Sequence, residues 1–138
     1  MQREYEFFVD GYPRQSRYQV IRGPKRMKLA NDVKAWKASV ALQANHYMPR
    51  EPIDAPVVSV LTFHLPMPPA WSGAKKERMD HRWCAVKPDC DDLEKPVIDA
   101  LKAAGWFVDD SRIVVSTTKK LYVRDGFGVH VALEILDR

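Results

Sequence analysis

The sequence has little of what would mark a secreted, thiolate-binding or membrane protein. Only two cysteines occur, Cys84 and Cys90, too few for a disulfide framework and in keeping with a reducing compartment. A zinc set could be drawn only from His81, Cys84 and Cys90, and it is a poor one, because Cys90 is expected to point away from the neighbouring aspartates. Long apolar runs are missing as well. The longest, Val57 to Leu65, is broken by Ser, Thr and His and falls far short of the ~20 residues of a membrane helix. The opening MQREYEFFVDG lacks the basic start and longer apolar core of a signal peptide, so a cytoplasmic protein is expected. No internal repeat or low-complexity tract is present.

What is there is the make-up of one soluble domain spanning 1–138. A hydrophobic share of 46% with 29% charged residues supports a buried core, and the length suits one core rather than two. Charge is segregated. From Tyr12 to Lys37 eight Lys/Arg stand against one Asp, whereas from Asp89 to Asp110 seven Asp/Glu stand against two Lys. A basic surface beside a compact acidic cluster suits an enzyme that holds a polyanion and presents a metal-loaded site to it. Two ordinary solvated faces would give the same charge pattern.

Residues 5–9 form an expected short strand, followed by an Arg-rich loop punctuated by Gly and Pro. Between Asp32 and His46, Val33, Trp36, Val40, Ala41 and Ala44 recur at helical spacing. Proline then gathers between Pro49 and Pro69 and leads into VVSVLTFHL, a β-branched run that reads as a central strand. Pro66 to Lys87 has no clear period and carries five Lys/Arg and two Trp, which predicts a mobile basic loop. A second helix is expected from Asp92 to Ala104, stopped by Gly105, with Asp91 and Glu94 at capping-box spacing and Pro96 either delaying its start by a residue or two or distorting its first turn. IVVSTTKKLYV and VHVALEIL follow as strands joined by RDGFG, the second alternating as a half-buried hairpin strand does. The fold class is therefore α/β (α+β), a mixed sheet packed with about two helices.

The chemistry concentrates in KPDCDDLEKPVIDALKAAGWFVDDSRIV. In extended backbone at a strand end, Asp89 and Asp91 would leave from one side about 6.5 Å apart, close enough to converge on one cation. Asp109 and Asp110 return after the helix at the start of the next strand. Carboxylates without His or Cys partners favour Mg²⁺, with Mn²⁺ the alternative, over zinc. Lys95, four residues after Asp91, would face the same way on a helix and reach a scissile phosphate.

This segment resembles the RusA family of Holliday junction resolvases. The family pattern of Pro-Asp-x-Asp-Asn-Leu-x-Lys, then Asp-Ala-Leu, then Asp-Asp-Ser opening a strand that ends in lysine is met by Pro88, Asp89, Asp91, Leu93, Lys95, Asp99, Ala100, Leu101, Asp109, Asp110, Ser111 and Lys120. The firm match covers 87–120. The resemblance implies Asp89, Asp91 and Asp110 as catalytic metal ligands, Lys95 as the phosphate-facing lysine, and a homodimer acting on branched, four-way DNA with Mg²⁺, of bacterial or prophage origin. Two residues depart from it: Asp92 stands where the family usually has Asn, and Pro96 follows the lysine.

Other residues are read more plainly. Asp92 and Asp109 are read as supporting residues, Asp92 either tuning metal affinity or capping the helix and Asp109 helping to turn the chain rather than serving as a ligand. Asp99, within helical reach of Lys95 and Lys102, fits a surface ion pair better than a metal contact. Arg14, Arg17, Arg22, Lys25, Arg26, Lys75, Lys76 and Lys120 are the expected DNA-binding residues. Trp106 reads as core, while Trp71 and Trp83 stay open between packing and stacking on bases. The rival function is a non-catalytic junction or duplex DNA-binding module, which needs the basic segments but not the four aspartates with a lysine.

Overall fold

The computed structural model describes residues 2–16 and 23–136, and the expected DNA contacts Arg17 and Arg22 lie outside them. The elements in order are β1 (Glu4–Asp10), α1 (Pro24–Asn45), β2 (Val57–Pro66), α2 (Gly73–Met79), α3 (Cys90–Ala104), a single 3₁₀ turn at Asp110–Arg112, β3 (Ile113–Val123) and β4 (Gly128–Ile135). The strands form one mixed sheet in the order β1-β4-β2-β3. This is the small α+β domain expected, with a third helix added.

β2 is central, as its composition predicts. It runs parallel to β3 and antiparallel to β4, and alternates strictly so that Val57, Leu61, Phe63 and Leu65 are buried. The expected hairpin between β3 and β4 does not form, because β2 lies between them. The link at 124–127 instead passes over the end of β2 and sets β4 against β1. Gly128 makes that approach feasible, since a Cβ there would stand 2.0 Å from the Val9 carbonyl oxygen. Alternation shows which face of a strand is buried, and both arrangements bury the same face.

α1 begins at Pro24, eight residues before the periodic signal. Its first two turns bury no residue, so they carry no apolar stripe, and Pro24 at the first helical positions is well placed to start them. Its buried stripe, Val33, Trp36, Val40 and Ala44, is the expected one. The stretch read as a mobile loop holds α2, started by Ser72, whose hydroxyl accepts the Lys75 N–H at 3.1 Å. α2 buries no residue, which is why no period betrays it. Beyond it, residues 81–84 run along the free edge of β3. His81 N–H donates to the Tyr122 carbonyl at 2.7 Å, Tyr122 N–H to Arg82 at 2.9 Å and Cys84 N–H to Lys120 at 2.9 Å.

α1 and α3 pack on each other. Trp106, Leu93, Val97 and Leu101 from α3 and its C-terminal exit are fully buried with Leu61 and Phe63 of β2. Trp106 is thus core, as read from the sequence.

Candidate metal centre

Three carboxylates meet where α3 begins. The helix starts at Cys90, two residues earlier than predicted, with Asp89 at the N-cap in extended backbone (φ −73°, ψ 153°) and Asp91 and Asp92 in the first turn. The expected exit of Asp89 and Asp91 from one side of a strand is therefore replaced by a cap-and-first-turn geometry. That geometry adds Asp92: one ligand atom each of Asp89, Asp91 and Asp92 lie within 4.8 Å of one another. The positive end of the helix dipole offsets part of their mutual repulsion. The expected capping box does not form, since Asp91 lies inside the helix and the N-cap is Asp89, whose side chain makes no cap hydrogen bond. Glu94 instead accepts a hydrogen bond from the Ser116 hydroxyl on β3.

Asp110 is outside the trio but shares a hollow with one member of it, Asp91. With Asp91, Glu94, Lys95, Asp99 and Ser116 it lines a cavity of about 280 Å³. Its place is fixed from the core outward. Ile53 N–H donates to the Trp106 carbonyl at 2.8 Å and Val108 N–H to the Ile53 carbonyl at 3.1 Å, so the chain leaving the buried Trp106 has one path to the acidic pair.

Asp109 supports that turn: its carboxylate accepts the Ser111 N–H at 3.1 Å and caps the 3₁₀ turn. Lys102 Nζ lies 3.1 Å from Asp109 and 3.9 Å from Asp110. Hydrogen bonds from Ser111 and then Lys102 hold Asp109 well below the usual carboxylate range. The same bond to Asp109, followed by the charge of Asp110, pushes Lys102 up. Asp99 pairs with Lys95 at 3.3 Å, as expected, but its second cation is Lys37 at 3.9 Å rather than Lys102. Helical spacing alone could not reveal Lys37, which comes from α1.

The family model described as Endodeoxyribonuclease RusA matches residues 10–134. The chain belongs to the RusA endodeoxyribonuclease family. The match runs from the end of β1 into β4, so the RusA domain includes the basic arm and the closing strands, beyond the 87–120 stretch where the resemblance is firm by motif. No curated protein matches the chain significantly in sequence.

Around the RusA motif the structure places three residues that sequence reasoning passed over. Lys87 Nζ sits 2.9 Å from both carboxylate oxygens of Asp89. Glu94 lies three residues after Asp91 and so on its face, a signal that was present but spent on the capping box. Ser16 is the third. Pro96 has no N–H to give the Asp92 carbonyl one turn back, and Ser16 N–H from the basic arm donates to that carbonyl at 2.9 Å. The proline that departs from the family pattern thus leaves an acceptor open for the arm.

The basic residues distribute unevenly. Arg14 lies 3.9 Å from Asp32 of α1. Lys25 and Arg26 are exposed in the first turn of α1 and Lys75 and Lys76 lie on α2. Lys75 Nζ stands 4.4 Å over the Trp71 ring, which itself packs 5.1 Å from Tyr122. Trp83 is 67% exposed. Lys120 donates to the backbone carbonyls of Val86 and Pro88, each at 2.7 Å.

Proposed function

We propose that this protein is a Mg²⁺-dependent, structure-specific endodeoxyribonuclease that resolves Holliday junctions by paired phosphodiester hydrolysis in DNA recombination and repair. The observation that carries the reading is the convergence of Asp89, Asp91 and Asp92 within 4.8 Å at a helix start inside a RusA domain. The donor set fits the ion: carboxylate oxygens, with no imidazole or thiolate in the cluster, suit a hard cation such as Mg²⁺ or Mn²⁺. Asp89 and Asp91 would hold it, with Asp110 lining the same hollow as Asp91 and Asp92 adding charge. Such a cation, when bound, supplies an activated water and neutralises charge growing on a phosphodiester oxygen.

The chain's own groups do the rest. Lys95, on the rim of the hollow beside Asp91 and Asp110, offers an ammonium to a non-bridging phosphate oxygen, and its bond to Asp99 keeps it aimed there. Lys102 restrains Asp110 through an ion pair. Arg14, Lys25, Arg26, Lys75 and Lys76 replace counterions along the DNA backbone.

Paired cutting calls for two equivalent sites, and a two-fold dimer provides them. The outer face of the sheet supports it. Val58, Val60, Phe8 and Ala132 lie there half-exposed, beside the exposed Val115. Glu4 and Glu6 stand toward one edge and Lys119 toward the other, so two copies related by a two-fold axis along the strands would bring edges of opposite charge together.

Cleavage of a four-way junction, a linear duplex and a single strand, each with and without Mg²⁺, tests the proposal. Junction-selective, Mg²⁺-dependent cutting is expected. Junction binding with no cutting under any metal would leave the non-catalytic DNA-binding module instead.

A further inference from the structure

The route into Asp89 is irregular. Residues 86–89 form neither helix nor strand and the Asp89 side chain makes no cap bond to the helix, so the main chain before it is set from outside α3, while Lys87 Nζ holds its carboxylate oxygens at 2.9 Å. The register places Lys120 opposite Phe63, on the inner face of the sheet, whereas Lys119 is exposed on the outer face. An ammonium has three N–H donors and no acceptor. Two of those on Lys120 go to the carbonyls of Val86 and Pro88, at 2.7 Å each, one on either side of Lys87. The Lys120 carbonyl also receives the Cys84 N–H at 2.9 Å. One residue therefore grips the incoming segment by its main chain at Cys84 and by its side chain at the Val86 and Pro88 carbonyls ahead of Asp89.

We propose that Lys120 is a positioning residue of the metal centre, its ammonium clamping the Val86 and Pro88 carbonyls so that Asp89 is held beside Asp91 and Asp92, and that it is not a DNA-phosphate contact. The proposal rests on the reading of Asp89 as a metal ligand. It differs in sign from a purely electrostatic role. Deleting a positive charge near a carboxylate cluster would by itself tighten cation binding, whereas releasing the clamp weakens it, because partners that orient metal ligands contribute roughly 10–100-fold to affinity.

The test titrates Mn²⁺ alone into the protein by calorimetry, well below each variant's Tm, and measures junction affinity in chelator across a salt series. Lys120→Met is expected to weaken Mn²⁺ binding about tenfold and to leave junction affinity and its salt slope within about twofold of the parent. Lys34→Met, at an exposed lysine of α1, is expected to leave Mn²⁺ binding unchanged. Parental or tighter Mn²⁺ binding by Lys120→Met overturns the proposal. So does weakened junction binding with a flatter salt slope that Lys120→Arg restores, since a phosphate contact survives that change of cation. Should Lys120→Met not fold, Lys120→Arg decides alone: its wider planar fork should weaken Mn²⁺ binding at parental junction affinity, and parental Mn²⁺ binding refutes the clamp. Asp91→Asn is titrated alongside. If it binds Mn²⁺ like the parent, the assignment of the carboxylate cluster fails, whatever Lys120 does.

Discussion

The two ends of α3 are held by different means. Its C-terminal end is closed locally. Gly105 takes the left-handed conformation (φ 100°) and donates to Leu101 and Lys102, and the buried Leu101 and Trp106 pin it into the core. Its N-terminal end has three exposed or half-exposed carboxylates and no side-chain cap. Groups from elsewhere brace it: Ser16 N–H on the Asp92 carbonyl and Lys120 on the carbonyls leading to Asp89. One end gains stability from burial. The other gathers three carboxylates, a set of like charges that a bound cation would neutralise.

The sharpest way to break this comparison is Asp91→Asn. Cleavage in Mg²⁺ should fall about a thousandfold, near 4 kcal/mol of barrier, while Tm holds or rises because a repulsive charge has gone. Junction affinity in chelator should survive or tighten. Cleavage near the parental rate would make the cluster structural. Leu101→Ala at the other end should do the reverse. Loss of a fully buried side chain should cost about 3 kcal/mol of stability in denaturant titration, with cleavage by the folded fraction little changed.

Substituting Arg14→Gln together with Lys25→Gln should come next. If both residues touch phosphates, the slope of log affinity against log salt should flatten by about 1.8 units, equally for every DNA shape. An unchanged slope would place these residues off the DNA. Pro96→Ala bears on the bracing itself. It returns an N–H to the Asp92 carbonyl, so the helix gains an internal bond while Ser16 loses its exclusive acceptor. Global stability should stay within about 1 kcal/mol, but hydrogen exchange at the Ser16 amide should speed up severalfold. Unaltered exchange would mean the arm is seated by other contacts.

The smallest effect concerns His64 on the outer face of the sheet. Burial, then the charges of His81 and His130, hold it below its ordinary value of 6.5. Between its folded value and 6.5 the unfolded chain binds more protons, so stability is lost as pH falls through 6.5. Tm should therefore drop slightly more between pH 7.5 and 5.5 for the parent than for His64→Gln, and equal drops would remove His64 as the source.

Where burial shaped the chain, the sequence was readable. The stripe Val33, Trp36, Val40 and Ala44, the alternation of β2 and β4, the Gly105 stop and the buried Trp106 all reach the same place in the structure. Segments that bury nothing left no such trace: the first two turns of α1 and all of α2 went unread. At the candidate site, residue chemistry was legible and geometry was not. The aspartates could be picked out by type and spacing, yet whether Asp92 joined the trio depended on where α3 began.

By itself, then, the sequence determined the helix and strand faces and the acidic segment with its carboxylate make-up, because these follow from periodicity and side-chain type within a few residues. Tertiary structure alone decided that β2 would separate β3 from β4. It also decided that Lys37 would reach Asp99, that Ser16 would take the carbonyl left open by Pro96, and that Lys120 would spend its ammonium on the backbone before Asp89. Those pairings join residues far apart in the chain, and a hydrogen bond depends on final distance and direction, which no local pattern encodes.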